Sequence, residues 1–158
     1  MTLAGSGLIA LLLSGCELAP VPAAPATLAV AAAVPVAAAT GFAGLLNAQR
    51  ASGGLPPATA DARLTAAAQA HAQDMASRDY FSHRSPEGTS VADRVRAAGY
   101  SPCRSSENIA FGQTSEAAAF QSWATSPPHL ANIMMRGPVQ FGLGHAGNKW
   151  VLVVAGVC

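Results

Sequence analysis

The chain has 158 residues, a formal net charge of +1 and 51% hydrophobic residues, enough for one domain of ordinary size with leading segments. Its nine basic residues are almost all Arg and form no cluster, which excludes both the electrostatic footprint of a nucleic-acid binder and a polybasic membrane patch. Ala is abundant throughout, so Leu, Met and aromatic positions carry the reading of periodicity.

Residues 1–15 are a short apolar run ending in small residues. That is too short for a membrane-spanning helix and has the form of an export signal, although no Lys or Arg precedes the apolar core. Leu13-Ser14-Gly15-Cys16 resembles a bacterial lipobox, in which small residues admit the peptidase and the Cys16 thiol carries the lipid. Two or more acyl chains there would anchor the chain to a membrane. An ordinary secretory signal with an incidental Cys, giving a secreted protein, is the alternative. Residues 16–41 are Ala, Pro and Val punctuated by Pro20, Pro22, Pro25 and Pro35, a composition that blocks continuous helix and reads as a tether. Extended, it would reach roughly 50–75 Å at about 3 Å per residue.

Phe42, Leu45, Leu46 and Arg50 predict a first helix, stopped by Ser52-Gly53-Gly54. A second runs from an Asp61 N-cap to Asp79, with Leu64, Ala68, His71 and Met75 on one face and Tyr80-Phe81 pinning its end into the core. After a Ser85-Pro86-Glu87-Gly88 turn, Val91, Val95 and Ala98 mark a short third helix ending at Gly99. Glu107 to Gly112 reads as a strand. Thr114 or Ser115 opens a fourth helix bearing Phe120 and Trp123, and Pro128 starts a short one through Met134. Val139 to His145, a Gly147-Asn148 turn and Lys149 to Cys158 predict a β-hairpin. The run Val151-Leu152-Val153-Val154 implies a strand covered on both faces. These elements predict a three-layer α/β/α domain over residues 42–158, with a small central antiparallel sheet.

If Cys16 is lipidated, Cys103 and Cys158 remain, either as a disulfide in an oxidising compartment or as two buried thiols. A disulfide would tie the loop before Glu107 to the last strand and contribute about 4 kcal/mol on the chain-entropy model.

A series of short motifs runs through the domain: Leu46-Asn47-x-x-Arg50, His71-Ala72-x-Asp74-Met75, Phe81-Ser82-His83-x-Ser85-Pro86-x-Gly88, Ala98-Gly99-Tyr100 and Glu107-Asn108-Ile109-Ala110. Trp123-x-x-Ser126-Pro127-x-His129-x-x-Asn132-Ile133 and Phe141-Gly142-x-Gly144 complete it. In order and spacing the series resembles bacterial members of the CAP superfamily (cysteine-rich secretory, antigen 5 and pathogenesis-related proteins, or SCP domain) across residues 42–158. The resemblance implies an α/β/α sandwich with a surface cleft lined by two His and two acidic residues. Position by position these are His83, His129 and Glu107. Ser126 stands where animal and plant members carry the second acid, a change that bacterial members share and that weakens any mechanism needing two carboxylates.

His83, Glu107 and His129 have the residue types of an open zinc or other divalent-ion site that keeps a water, whose pKa such an ion would lower. They come from distant segments with no short zinc motif between them. A metal-free hydrogen-bonded cluster is the expected resting state, and a reversibly bound ion the alternative. His71 is expected buried and hydrogen-bonded, Asn108 to bond backbone along the cleft wall, and His145 to be exposed and idle. Trp123, Phe111 and Phe141 are read as core. Ser126 and Ser82 are nucleophiles in principle, with Ser126 near His129 and no acid to complete a triad. The reading favours a monomeric, lipid-anchored extracytoplasmic module, in the periplasm, on the outer membrane or at the cell surface, that binds a lipid, glycan or peptide. A metal-assisted peptide or ester hydrolase and a structural domain are the alternatives.

Overall fold

The computed structural model describes residues 41–158; the expected export signal, Cys16 and the expected tether as far as residue 40 lie outside the described residues. Five helices and four strands follow in chain order: α1 (Phe42–Ser52), β1 (Thr59–Ala60), α2 (Ala62–Ser77), α3 (Val91–Ala97), β2 (Arg104–Phe111), α4 (Glu116–Ala124), α5 (Pro127–Ile133), β3 (Val139–Ala146) and β4 (Lys149–Gly156). No described helix is long and apolar enough to cross a membrane.

Local chemistry sets most of the boundaries. Asp61 caps α2 by accepting from the amides of Arg63 and Leu64, and Ser90 and Asp93 form a reciprocal capping box on α3. Ser115 caps α4. Helix α2 stops two residues before the expected Asp79, which adopts a left-handed φ of 50° and turns the chain away.

The sheet order is β1-β3-β4-β2. Strands β3 and β4 form the expected hairpin, and β2 pairs antiparallel to β4 from Arg104 to Phe111, three residues earlier than the strand read from sequence. Strand β1 pairs parallel to β3, so the sheet is mixed, where an antiparallel one was expected. Two residues are too short to show a period of two. Just before the strand the Asn47 side chain brackets Ala58, donating to its carbonyl at 3.0 Å and accepting from its amide at 2.8 Å, which fixes the chain entering the strand.

The three layers are as expected. Helices α2 and α3 cover one face of the sheet, where Leu64, Ala68, Met75 and Val95 pack on Ile109, Val151 and Val153. Helices α1, α4 and α5 cover the other, where Phe42, Leu46, Phe120, Trp123 and Ile133 pack on Phe141, Leu152 and Val154. Strand β4 is buried along its whole length, as its apolar run implied. The α2 layer sits close to the sheet because Gly142 and Gly144 lack side chains; a Cβ on either would overlap the backbone of Leu64 and Thr65 or of Ala68 and Gln69. Arg50 is fully buried and donates to the carbonyls of Pro56, Ile133, Met135 and Gly137, stitching α1 to the α5–β3 connection. Cys103 and Cys158 are joined, with Cα atoms 5.1 Å apart.

Two aromatic residues depart from expectation. Phe81 and Phe111, both read as core, are 48% and 52% exposed. The end of α2 is instead held by the partly buried Tyr80, whose hydroxyl bonds to Asp74.

Candidate functional site

Strand β2 lies at the sheet edge and pairs on one side only, with β4. Successive side chains of a strand leave on opposite faces, so Glu107 turns toward α2 and α3 while its neighbour Asn108 turns toward α5. The candidate site is built astride this edge.

On the first side, the Glu107 carboxylate is 2% exposed. Its Oε2 accepts from Arg94 Nη2 at 2.7 Å, and its Oε1 lies 2.9 Å from His83 Nδ1. A carboxylate can be buried this deeply only when paired, and the guanidinium supplies the counter-charge. Arg94 also donates to the carbonyls of Thr89 and His83, so one side chain fastens both the acid and the loop that carries the histidine. His71, on α2, stands behind them. Its Nε2 donates to the Ser82 carbonyl at 3.0 Å, which fixes its tautomer and holds the residue preceding His83. Burial holds the His71 imidazole below its ordinary range; Glu107 pulls against that shift and Arg94 adds to it. At 3.9 Å from Glu107, a neutral His71 is a neighbour of the carboxylate rather than its ion-pair partner.

On the second side, Asn108 is fully buried and donates to the His129 carbonyl at 3.0 Å, while its Oδ1 accepts from Asn132 at 2.7 Å. Asn132 reaches the Glu107 carbonyl at 3.4 Å, and the Trp123 indole donates to the Ile109 carbonyl at 3.1 Å. These bonds satisfy carbonyls on the unpaired side of β2, which would otherwise invite strand addition. His129 is partly buried, with Nδ1 2.8 Å from Ser126 Oγ. Ser126 occupies the N-cap of α5 but caps nothing, because its hydroxyl is directed at His129. Burial lowers the His129 pKa, and the charge of nearby His83 lowers it further.

Of the sequence-derived residues, Glu107 is thus bonded to His83, and Asn108 and Ser126 to His129. The Nε2 atoms of both rings have no hydrogen-bond partner among the described residues, and the His83 side chain is 56% exposed. Ser126 meets His129, but no carboxylate among the described residues completes a triad with them. An ion bound by His83, Glu107 and His129 would need their donors to converge. Both oxygens of Glu107 are engaged, one by a cation, and no three His, Cys, Asp or Glu side chains among the described residues are placed to hold a metal. As arranged, the three side chains do not fit an ion's ligand set. A surface cavity of about 240 Å³ lies behind the network, against His71, Asp74, Arg78, Glu87 and Arg94.

Sequence reasoning missed Arg94 as the counter-ion and Asn132 as the clamp. Asn132 carried a signal, since it lies three residues after His129 and so on the same helical face. Arg94 carried none beyond adjoining the core residue Val95. His145 is exposed as expected, but its ring stacks on Trp150 at 3.8 Å.

The layered fold, the edge-strand glutamate and the flanking histidines define a class, and the CAP family model (cysteine-rich secretory protein family) matches residues 43–156: the chain belongs to that family. It is 35% identical over 108 residues to the uncharacterized protein YkwD of Bacillus subtilis, covering 67% of this chain and 42% of that one. An extracellular protein containing an SCP domain from Bacillus anthracis is similar at a TM-score of 0.67 and 27% identity, over 73% of this chain and 39% of that one. An outer surface protein of Borrelia burgdorferi shares the fold at a TM-score of 0.62 and 16% identity, over 72% of this chain and 87% of that one. The chain therefore spans about two fifths of the length of its Bacillus relatives.

Proposed function

We propose that the protein is an extracytoplasmic CAP-domain module that binds a small ligand or envelope component at the paired imidazoles of His83 and His129. The observation that carries this reading is the commitment of Glu107 to Arg94 and His83. It orients His83 through Nδ1, as Ser126 does His129, so that Nε2 of both rings is free to hydrogen-bond, and among the described residues it leaves no acid to complete a triad with Ser126 and His129. Binding is what such fixed, hydrogen-bonding rings at a surface do well. An extracytoplasmic setting is supported by the disulfide and by relatives described as extracellular or outer surface proteins. In the same reading Cys16 carries the lipid and residues 16–41 hold the domain off the membrane.

A ligand that binds only the folded state raises the melting temperature by mass action. Thermal shift of the whole chain against soluble glycan, peptide and lipid-headgroup probes should reveal one whose effect disappears in His83→Ala and His129→Ala. If every shift persists in both variants, the imidazole pair is not the site. Zinc should leave the wild-type melting temperature unchanged; a shift lost in both variants would reinstate the ion. Hydrolysis of peptide or ester substrates above a His129→Ala control would replace the binding reading with the hydrolase. Incorporation of labelled fatty acid that disappears in Cys16→Ser tests the anchor.

A further inference from the structure

The two aromatic residues that should have been core lie together. The rings of Phe81 and Phe111 are 5.9 Å apart at 52°, each about half exposed. Between them sits the ammonium of Lys149, 4.0 Å from the Phe111 centroid and 5.7 Å from that of Phe81. Lys149 is opposite Phe111 in the β2–β4 ladder and is a buried residue. No carboxylate pairs with it and no hydrogen bond from its Nζ is made among the described residues. Aromatic faces attract a cation but leave its three N–H donors unused. An ammonium flanked by π faces, with no hydrogen-bond acceptor among the described residues, keeps its donors available, and its natural complement is an anion.

Glu107 and Phe111 project from the same face of β2, four residues and therefore about 13 Å apart at about 3.3 Å per residue. Phe81 is two residues from His83. The platform therefore adjoins the imidazole site without sharing a side chain with it. Its shape narrows the class of ligand. A flat ring can stack on half-exposed aromatic faces, and the ammonium beside them favours one that carries an anion. We infer that Phe81, Phe111 and Lys149 form a binding platform for an acidic saccharide, stacking a sugar ring on the phenyl faces and bonding its carboxylate to the Lys149 ammonium. This site does not require that His83 and His129 bind anything, and the variants below separate the two.

The test uses the whole chain and a matched pair of probes, an oligomer of uronic acid and the neutral oligomer of the same ring and linkage, followed by titration calorimetry. The acidic oligomer should bind at least about tenfold more tightly, the size of one charge-assisted hydrogen bond. Phe111→Ala, on the surface, should weaken it about fivefold or more, and Lys149→Met about tenfold or more. Lys149→Arg should retain most of the affinity and His129→Ala all of it. If Lys149→Met does not fold, the Phe111→Ala and Phe81→Ala comparisons decide alone. Equal binding of the two oligomers, or affinity indifferent to both phenylalanines, overturns the proposal. Binding to phosphatidylglycerol vesicles without binding to the uronate overturns it in favour of a lipid surface.

Discussion

Two adjacent residues of one strand, Glu107 and Asn108, build the two halves of the site by different means. On the α3 side a buried carboxylate is held by a guanidinium and an imidazole, so His83 is oriented by charge. On the α5 side Asn108 and Asn132 hold backbone carbonyls, so His129 is placed by neutral bonds to its main chain. The charged half is the more costly to damage, because a lone ion left in a low-dielectric interior is worse than a lone amide. The two imidazoles, alike in sequence, should therefore respond to unlike mutations.

The largest effect should be indifferent to this contrast. Both halves depend on β2, whose start is tied to the end of β4 by Cys103 and Cys158 across 55 residues. Opening that link, by reduction or in Cys103→Ser/Cys158→Ser, should lower unfolding free energy by about 4 kcal/mol in urea titration. Next, Arg94→Met strands the Glu107 carboxylate and should cost about 3 kcal/mol. The contrast becomes sharp in the double variant: adding Glu107→Gln should recover part of that loss, a coupling visible as non-additivity in the mutant cycle. Strict additivity would mean that Arg94 does not neutralise Glu107. On the neutral side Asn108→Ala should cost about 2 kcal/mol, from the orphaned His129 carbonyl and the Asn132 donor. It should show no coupling to Arg94→Met, since the two act on opposite faces of the sheet.

How much of this could be read from sequence follows the same division. Long periodic elements were legible: the α2 stripe, the β3–β4 hairpin and the doubly covered β4 all announce themselves through spacing or an apolar run. Strand β1 was not: it has two residues, and Ala58 before it is held by a side chain eleven residues away, Asn47. The motif series pointed to His83, Glu107 and His129, yet their hydrogen-bond partners were only partly visible. Arg94 becomes the counter-ion through the packing of α3 against β2, and one-dimensional spacing does not record that. Phe81 and Phe111 were misread for a related reason. Hydrophobicity assigns a ring to the core, but both flank the only lysine of the chain, Lys149, which pairs with Phe111 at the end of the β2–β4 ladder, and each ring is about half exposed. Places where composition and burial disagree are where function is expected.

The smallest expected effect distinguishes the two halves by pH. His71, behind the charged half, and His129, in the neutral half, both have pKa values lowered from 6.5 in the folded protein, chiefly by burial. Below pH 6.5 the unfolded chain therefore binds more protons than the folded one, and stability rises with pH in that window. The contribution is complete above pH 6.5 and is lost as pH falls toward and through the lowered folded values. His71 faces Glu107, Arg94, Asp74 and Tyr80, and protonation would place a second positive charge beside Arg94 around one carboxylate. His71→Gln removes the titrating group and keeps a donor for the Ser82 carbonyl. Urea midpoints between pH 5 and 7 should slope upward in wild type and less steeply in His71→Gln, with the remaining slope removed by His129→Gln. A wild-type profile flat across that range would show that both rings titrate in the native state as they do in the unfolded chain, and the buried placement of His71 behind His83 would then be wrong.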